Sequence, residues 1–489
     1  MSTADRMGVG MSMTGSEGAG AHYKARQINV DATRHGVFAE IGAGQEVARW
    51  FFQVGGASAT VAKTISAYDM DVSDAIYGPT RQYVSRSRLQ AMLDHEWNQL
   101  LARLSLKRGA TTTFFVFADT VATRSPSRPD GGHGWMGVRF QHEPQVEYSE
   151  ILLHVRMLDK EVVREQGALG TLGVNLIYGA FYQYHSPNML IPALLDALST
   201  DRIEVDTIRF SGPAFPGVDN RLMSLQLVEQ GLTDASMFTP DGEVVQPAEV
   251  LHKKPVLVER GSFRPVTNTT LDMLERAAER FHKEFQSAEA PPCVVMEMSL
   301  HNLLEKNRID HADFLARADI LCALGKTVMI TSFAHHYSLA AFLRRYTQEP
   351  VVFALGVPNL LEIINGKYYS DLEGGTLEFL GGLFKRNIKL YVYPYRSPET
   401  GEIIEASTLK VPSDVTHLYA YLLENRLIED ISNFNPQYLG IFPVDLLGMI
   451  QSGNPDWETM VPEPCARLIK ERNYFGYRAH PLTEAEARS

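Results

Sequence analysis

One short segment of this chain combines residue types that proteins use to hold a phosphate group. The apolar run at 254–259 leads into Gly261-Ser262-Phe263, and a polar cluster of Thr267, Asn268 and Thr270 then opens an amphipathic helix. A glycine lets the backbone approach a ligand closely, and the N–H groups at a helix start favour an anion. The segment predicts a phosphate-binding turn. The alternative is a plain strand-to-helix turn capped by Thr267 or Asn268.

Three side chains near this turn are candidate catalytic groups. Thr270 can donate a hydrogen bond to a phosphoryl oxygen, and Arg264 can offer planar donors. His335, which follows a later strand, could supply a positive charge opposite the phosphate and make activity pH-sensitive. Alternatively, the arginine is a solvated loop residue and the histidine caps or packs. No metal site is expected, because His335 and His336 are adjacent and point in different directions.

The elements that position these residues follow an alternating order. From residue 161 to residue 400, β-rich runs alternate with helical patterns, which predicts a mainly parallel, doubly wound, Rossmann-like α/β sheet. Ligands bind beyond the carboxyl ends of such strands. The turn should therefore share this edge with the ends of other strands. The residues expected there are Ser211, Gly212, Gly261 to Asn268, Glu297, Ser299, Thr331, Ser332, Gly356 and Asn359. Ser332 and Gly356 are predicted to bind the ligand together with the turn.

The rest of the chain divides by composition into three further segments. Residues 1–32 are expected to be a disordered lead, 33–160 an N-terminal α+β region, and 401–489 a helical extension. In the N-terminal region, GAGQE superficially resembles a dinucleotide fingerprint, but no clear strand precedes it. The polar residues of this region are Glu40, Gln45, Glu46, Arg49, Lys63, Tyr68, Asp69 and Asp74. Two interpretations of them stay open, helix pairs such as Glu46 with Arg49 or a pocket lined by carboxylates and a lysine. Asp119, at the end of an apolar strand, is either a ligand to a metal or substrate or the N-cap of the next turn.

Composition excludes several classes of function. The 489 residues carry a net charge of -12, so no broad basic face is expected and nucleic acid is not an expected partner. No apolar run is long enough to cross a membrane, and the N-terminus lacks a signal-peptide pattern. The three cysteines are far apart, which fits a reducing cytoplasm. A small-molecule nucleotide is the expected partner, and a homo-oligomer is compatible with the sequence.

The turn resembles a family signature. GSFRPVTNTTL is similar to the GSFxPxTNxHL motif of nicotinamide and nicotinate mononucleotide adenylyltransferases, with matches at Gly261, Ser262, Phe263, Pro265, Thr267, Asn268 and Leu271. The resemblance implies an enzyme that joins ATP to a pyridine mononucleotide, uses Mg²⁺ and releases pyrophosphate. The family has a histidine where this chain has Thr270. Its second signature, ISSTxxR, has no close match, the nearest string being residues 407–410.

A wider resemblance covers Arg34 to Gly78, His133 to Phe140 and the run LLHVRMLD. These segments are similar to a family of large bacterial proteins whose labels conflict between nicotinate-nucleotide adenylyltransferase and TonB-dependent receptor. An outer-membrane receptor needs a signal peptide and a long series of alternating strands, which this sequence does not show.

Two functions from different classes remain. One is a nucleotide-binding enzyme that performs Mg²⁺-assisted adenylyl transfer. The other is a non-catalytic nucleotide-sensing or assembly protein that retains the turn without the histidine. An unrelated transferase on the same scaffold is a third, because a fold does not fix a function.

Overall fold

Two β-sheets, one in each half of the chain, organise the computed structural model. It describes residues 15–125, 131–285, 290–369, 372–385 and 387–478. The chain divides into two units, Met1–Thr233 and Asp234–Ser489, called here the N-terminal and C-terminal units. Both contain helices and a sheet with parallel strands, so the predicted α/β class is confirmed. In the described ranges, no helix has the length and apolar content needed to span a membrane.

The N-terminal unit is built on a six-stranded mixed sheet. Its strands are β1 (Arg34–Ile41), β2 (Val61–Ser66), β3 (Thr113–Ala122), β4 (His133–Phe140), β5 (Ser149–Met157) and β6 (Ile203–Ser211). They lie in the order β2-β1-β3-β4-β5-β6, with β2, β1 and β3 parallel and the others antiparallel. The predicted boundary at 160 is therefore wrong, because β6 belongs to this sheet. Ser211 and Gly212 accordingly do not share an edge with Gly261.

Helices cover both faces of this sheet. They are α1 (Gly15–Asn29), α2 (Gln45–Gln53), α3 (Ala57–Thr60), α4 (Met70–Tyr77), α5 (Arg86–Arg108), α6 (Val162–Tyr182), α7 (Pro187–Ala193) and α8 (Asn220–Glu229). Alternation along β3 sends Phe115 and Phe117 into a core with α1, α2 and α6, and Phe114 and Val116 into a core with α5.

The predicted disordered lead is wrong for residues 15–29, which form α1. Its residues Ala21, Ala25 and Ile28 are spaced three or four apart and buried in the core shared with α6. Small side chains let the helix lie close to the core although bulky apolar residues are few. Residues 1–14 lie outside the described ranges.

The C-terminal unit is built on an eight-stranded sheet. The strands of this unit are β7 (Ala235–Phe238), β8 (Val244–Val245), β9 (Val256–Arg260), β10 (Cys293–Ser299), β11 (Leu304–Glu305), β12 (Arg308–Ile309), β13 (Thr327–Thr331), β14 (Val351–Gly356), β15 (Ile388–Tyr393), β16 (Tyr395–Arg396), β17 (Ile403–Ile404) and β18 (Ile428–Asp430). The sheet order is β18-β15-β14-β9-β10-β13-β7-β8, parallel from β18 to β13 and antiparallel beyond. The chain adds β10 and β13 on one side of β9, then crosses to add β14, β15 and β18 on the other. The strand order therefore reverses between β9 and β14.

The first helix of this unit precedes β9, and the others lie between the parallel strands or follow the last one. They are α9 (Pro247–Leu251), α10 (Asn268–Glu284), α11 (Leu300–Leu303), α12 (His311–Ala323), α13 (His336–Leu343), α14 (Val357–Ile364), α15 (Gly375–Leu383), α16 (Thr416–Glu424), α17 (Pro443–Ser452) and α18 (Glu463–Arg472). Residues 401–489 were predicted to be a helical extension. That prediction is wrong for β18, which forms an edge of the sheet.

Candidate functional site

A cavity of about 730 Å³ opens where β9 and β14 end side by side. Open parallel sheets bind ligands beyond the carboxyl ends of their strands, at the point where the strand order reverses. The volume lies in the range of small-molecule sites. Seven of the predicted site residues line this cavity, namely Gly261, Ser262, Phe263, Thr267, Thr270, His335 and Gly356.

Contacts from neighbouring elements fix the turn after β9. The Gly261 N–H donates to the Glu297 carbonyl oxygen at 3.1 Å, and Arg317 Nη1 donates to the Ser262 carbonyl oxygen at 2.9 Å. A Cβ at Gly261 would lie 2.8 Å from Phe263 Cε1, and Phe263 is buried with a φ of 49°. The glycine therefore makes room for the Phe263 ring. The sequence had predicted that it makes room for a ligand.

The start of α10 is closed by a capping box. The Thr270 N–H donates to Thr267 Oγ1 at 3.2 Å, and the two hydroxyls lie 3.1 Å apart. Such a box satisfies N–H groups that the first turn of a helix leaves without partners. Thr270 thus lines the cavity and stabilises α10. The capping interpretation is confirmed for Thr267, and phosphate binding by this segment stays a prediction.

A buried ion pair lies beneath one wall of the cavity. Arg260 donates to both carboxylate oxygens of Glu297, at 2.5 and 3.0 Å, and its Nη atoms also donate to the carbonyl oxygens of Phe333 and Ala334. The Thr331 hydroxyl donates to the same carboxylate. Arg260 therefore ties β9 to β10 and to the loop after β13, with its guanidinium already engaged by the protein.

The histidine pair after β13 also borders the cavity. The His335 ring stacks on Tyr337, with ring centroids 5.8 Å apart, and meets Tyr369 edge-on. Burial, together with the charges of Arg260 and His335, lowers the pKa of His336 to about 3. His336 is therefore neutral at physiological pH, which leaves the predicted electrostatic role to His335.

Four aromatic side chains also line the cavity. Tyr369, Tyr393, Tyr395 and Phe442 line the cavity, and the Tyr393 hydroxyl donates to Asp272 Oδ2 at 2.6 Å. Flat, largely apolar walls suit a heteroaromatic ring. These residues come from separate segments of the last third of the chain, so no local pattern could have grouped them.

Arg264 does not line the cavity. Its Nε donates to Asp313 at 2.7 Å and its Nη2 to Glu305 at 3.1 Å. Asp313 also accepts from Arg317. Arg264 is therefore not placed to serve the predicted catalytic role at this cavity, because its side chain turns toward α12 and pairs with the partly buried Asp313.

Two predicted binding residues also lie outside the cavity. Asn268 donates to the Thr459 carbonyl oxygen at 2.9 Å, and Ser332 donates to Asp234 Oδ1 at 3.1 Å. Asn268 belongs to the first turn of α10 and Ser332 to the loop after β13, so each lies near the predicted edge. Side-chain direction takes them away from it.

Glu259 is a cavity residue that the sequence prediction missed. It is 2% exposed, and its Oε2 atom has no hydrogen-bond partner among the described residues. Burial raises the pKa of Glu259 well above its ordinary value, against the lowering effect of Lys326. A glutamate that ends an otherwise apolar strand was the available signal.

The N-terminal unit holds a separate buried acidic pair. Glu40 and Asp119 are register partners on the parallel strands β1 and β3, and both are nearly inaccessible to solvent. A Cβ at Gly44 would overlap Asp119, so the glycine lets the turn after β1 cover this carboxyl. Burial raises the pKa of Glu40 to about 8, and burial together with the nearby Glu40 raises that of Asp119. A clear strand, β1, does precede GAGQE, contrary to the sequence prediction.

Several of the other polar residues predicted in this region have protein partners. Glu46 and Arg49 form the predicted helix pair at 3.1 Å. Two more of these residues form ion pairs with other elements: Lys63 pairs with the buried Glu96, and Asp74 pairs with Arg88. The Asp69 side chain caps α4.

Across the described ranges, no group of three or more His, Cys, Asp or Glu side chains is arranged to hold a metal ion. Glu259 and Glu362 are the carboxylates among the residues that line the cavity. A divalent cation there would therefore depend mainly on oxygen ligands from a bound phosphate chain.

No family model and no curated protein matches this chain. Among solved structures, it is similar to the competence/damage inducible protein CihA from Agrobacterium tumefaciens, with 19% identity and a TM-score of 0.25 over 34% of this chain and 97% of that one. A competence-damaged protein (CinA) superfamily protein from Enterobacter cloacae gives 12% identity and a TM-score of 0.24, over 36% of this chain and 99% of that one. Likeness at this level identifies neither the fold nor the function of the chain.

Proposed function

We propose that the C-terminal unit binds a nucleotide in the cavity between the ends of β9 and β14. One observation carries the proposal: the turn after β9, the start of α10, His335 and the start of α14 converge on one cavity at the strand-order reversal. When the six parallel strands from β9 to β18 are numbered in chain order, their order across the sheet is 3-2-1-4-5-6, an order that Rossmann-like sheets also have. Such sheets bind nucleotides at this position.

The cavity lining contains two kinds of group, which suit the two ends of a nucleotide. Ser262 and the first turns of α10 and α14 offer hydroxyl and N–H donors to phosphate oxygens. The aromatic side chains of Tyr369, Tyr393, Tyr395 and Phe442 offer flat surfaces to a base or a pyridine ring. A ligand that uses both kinds of group would place its phosphate near Thr270 and His335.

The reaction we propose is adenylyl transfer between ATP and a pyridine mononucleotide. A phosphate oxygen of the mononucleotide forms a bond to the α-phosphorus of ATP, the bond from that phosphorus to the bridging oxygen breaks, and pyrophosphate leaves. Thr270 would donate a hydrogen bond to the transferred group, His335 would offset its charge, and Mg²⁺ would arrive with the triphosphate. A cytoplasmic location, which the three free cysteines favour, would supply ATP.

One observation favours the second candidate function, a non-catalytic nucleotide sensor. Arg260 is the arginine among the described cavity residues, and its guanidinium is engaged by Glu297 and two carbonyl oxygens. Phosphoryl transfer usually relies on several cationic groups around the phosphorus. A site that holds the nucleotide without them would bind and not turn over.

Thermal-shift titration of the whole chain with ATP, nicotinate mononucleotide, nicotinamide mononucleotide and NAD, each with Mg²⁺, tests the proposal. A ligand at 100 times its Kd stabilises the state that binds it by about 2.7 kcal/mol. Pyrophosphate release then separates the enzyme from the sensor. If no nucleotide shifts the unfolding transition, both candidate functions are wrong.

A pair of variants locates the site. A Cβ at Gly356 would make only ordinary contacts, the nearest to Pro358 at 3.5 Å, so Gly356→Phe can fill the cavity without straining the backbone. Gly381→Phe is the matched control, because Gly381 is exposed on α15 and a Cβ there would have no neighbouring atom within 4 Å. We expect the first variant to lose nucleotide binding at least tenfold and the second to retain it. Equal binding by both would place the site elsewhere.

A further inference from the structure

Glu259 lines the cavity, and one of its carboxyl oxygens has no partner within the described ranges. Glu259 is the residue before the last in β9, between β10 and β14, and its neighbours in the register are Met296 and Ala354. Neither neighbour carries a polar side chain. The Oε2 atom is buried and makes no hydrogen bond within the described residues.

A polar group in such a position costs stability unless something binds it. Buried polar atoms nearly always have partners, and an exception in a cavity points to a ligand that completes the bonding. Burial raises the pKa of Glu259 well above its ordinary value, which favours the protonated form of the carboxyl. A protonated carboxyl has one O–H donor beside one carbonyl acceptor, the arrangement that an amide also has.

We propose that Glu259 selects ligands with an uncharged amide-type edge, donating its O–H to the ligand's acceptor and accepting the ligand's adjacent N–H. The inference rests on the proposed nucleotide-binding function and adds a chemical class to it. The carboxamide of a pyridine mononucleotide and the amino edge of adenine both offer this pair of groups. A pyridine carboxylate offers two acceptors and a negative charge instead, which the buried site would have to desolvate.

Matched ligand pairs test this selection in the unmodified protein. Nicotinamide mononucleotide is compared with nicotinate mononucleotide, and adenosine monophosphate with purine ribonucleoside monophosphate, which lacks the amino group. In at least one pair, we expect the ligand with the amide-type edge to bind about tenfold or more tightly, the discrimination that a site with an unpaired buried group achieves. The pair that shows the preference identifies which ring contacts Glu259. Equal affinities in both pairs would overturn the inference.

Two substitutions separate selection from a structural role. Glu259→Gln keeps one donor and one acceptor, so the preference should stay within about threefold of the unmodified protein's. Glu259→Leu removes both the donor and the acceptor. The preferred ligand should then bind no more tightly than the other ligand of its pair. Without ligand, the leucine variant should unfold at the same temperature as the unmodified protein or higher, because an apolar group replaces an unpaired one.

The outcomes distinguish this inference from the proposed function. If no nucleotide binds the unmodified protein, the proposed function is wrong and the selection falls with it. If nucleotides bind while Glu259→Leu keeps both affinity and preference, only the selection is wrong. A leucine variant that loses stability and keeps the preference would show that the carboxyl serves the fold. Should that variant fail to fold, the unmodified protein and Glu259→Gln decide the question.

Discussion

Single residues around the cavity serve packing as well as chemistry. Gly261 has its N–H in a bond to β10, and its missing side chain leaves the space that the Phe263 ring occupies. Thr267 and Thr270 use their hydroxyls on each other. The residues of a short motif are thus held by the protein before any ligand arrives, which is a requirement for a preorganised site.

Substitution of Gly261 by alanine should therefore destabilise the C-terminal unit by about 1–3 kcal/mol, the cost of overpacking. The added methyl would contact Phe263 at 2.8 Å. In a double-mutant cycle with Phe263→Leu, the smaller side chain should recover part of this loss, as measured by urea unfolding. Additive losses would show that the glycine is needed for another reason.

Strands β9, β10 and β13 are joined at their carboxyl ends by one buried cluster. Arg260 on β9 pairs with Glu297 on β10, and Thr331 on β13 donates to the same carboxylate. Glu297 is fully buried, so each partner compensates part of the cost of removing its charge from water. The cluster thereby fixes three loops that border the cavity.

Removal of one member of this cluster should be costly, because it leaves a buried charge without its partner. We expect Glu297→Leu to lower the free energy of unfolding by about 3–5 kcal/mol, and the double variant with Arg260→Met to lose less than the sum of the single losses. Glu279→Gln is the control, since it breaks the exposed pair with Arg276 and should cost under about 1 kcal/mol. A small loss for Glu297→Leu in urea unfolding would contradict the prediction.

At the scale of the whole molecule, the two units carry buried carboxyl groups whose protonation accompanies folding. The pKa of Glu40 rises from 4.5 to about 8 in the folded N-terminal unit, where burial and the charge of Glu46 oppose ionisation and the Ala48 N–H and Ser66 hydroxyl favour it. The folded state therefore holds this proton more tightly than the unfolded chain. The stability it contributes is complete below pH 4.5 and is lost as the pH rises toward 8.

The N-terminal unit should consequently become less stable between pH 5 and 8, by at most about 1.4 kcal/mol per pH unit for one proton. Glu40→Gln should reduce this slope and raise stability at pH 8, whereas Glu143→Gln, at an exposed position, should leave it unchanged. Trp50, Trp97 and Trp135 lie in this unit and can report urea unfolding by fluorescence. Stability of the N-terminal unit that increases from pH 5 to 8 would contradict a raised pKa of Glu40.

Local pattern was sufficient to predict many elements but not their partners. The apolar run at 254–259 and the amphipathic helix predicted after it correspond to β9 and α10. Ser211 and Gly212 were expected to share a sheet edge with Gly261, yet the strand that leads to them, β6, belongs to the other sheet. Periodicity reports which residues are buried and says nothing about which strand lies alongside, because pairing depends on residues distant in the chain.

The sequence by itself determined the α/β class, the parallel strands of the C-terminal unit and seven of the residues that line one cavity, since β-strand ends and helix starts are encoded locally. Only the tertiary structure decided that Arg264, Asn268 and Ser332 turn away, that Glu259 borders the cavity, and that aromatic residues from the last third of the chain complete it. Side-chain direction follows from the competition among distant charged and polar partners. That competition exists only once the strands have assembled into the sheet.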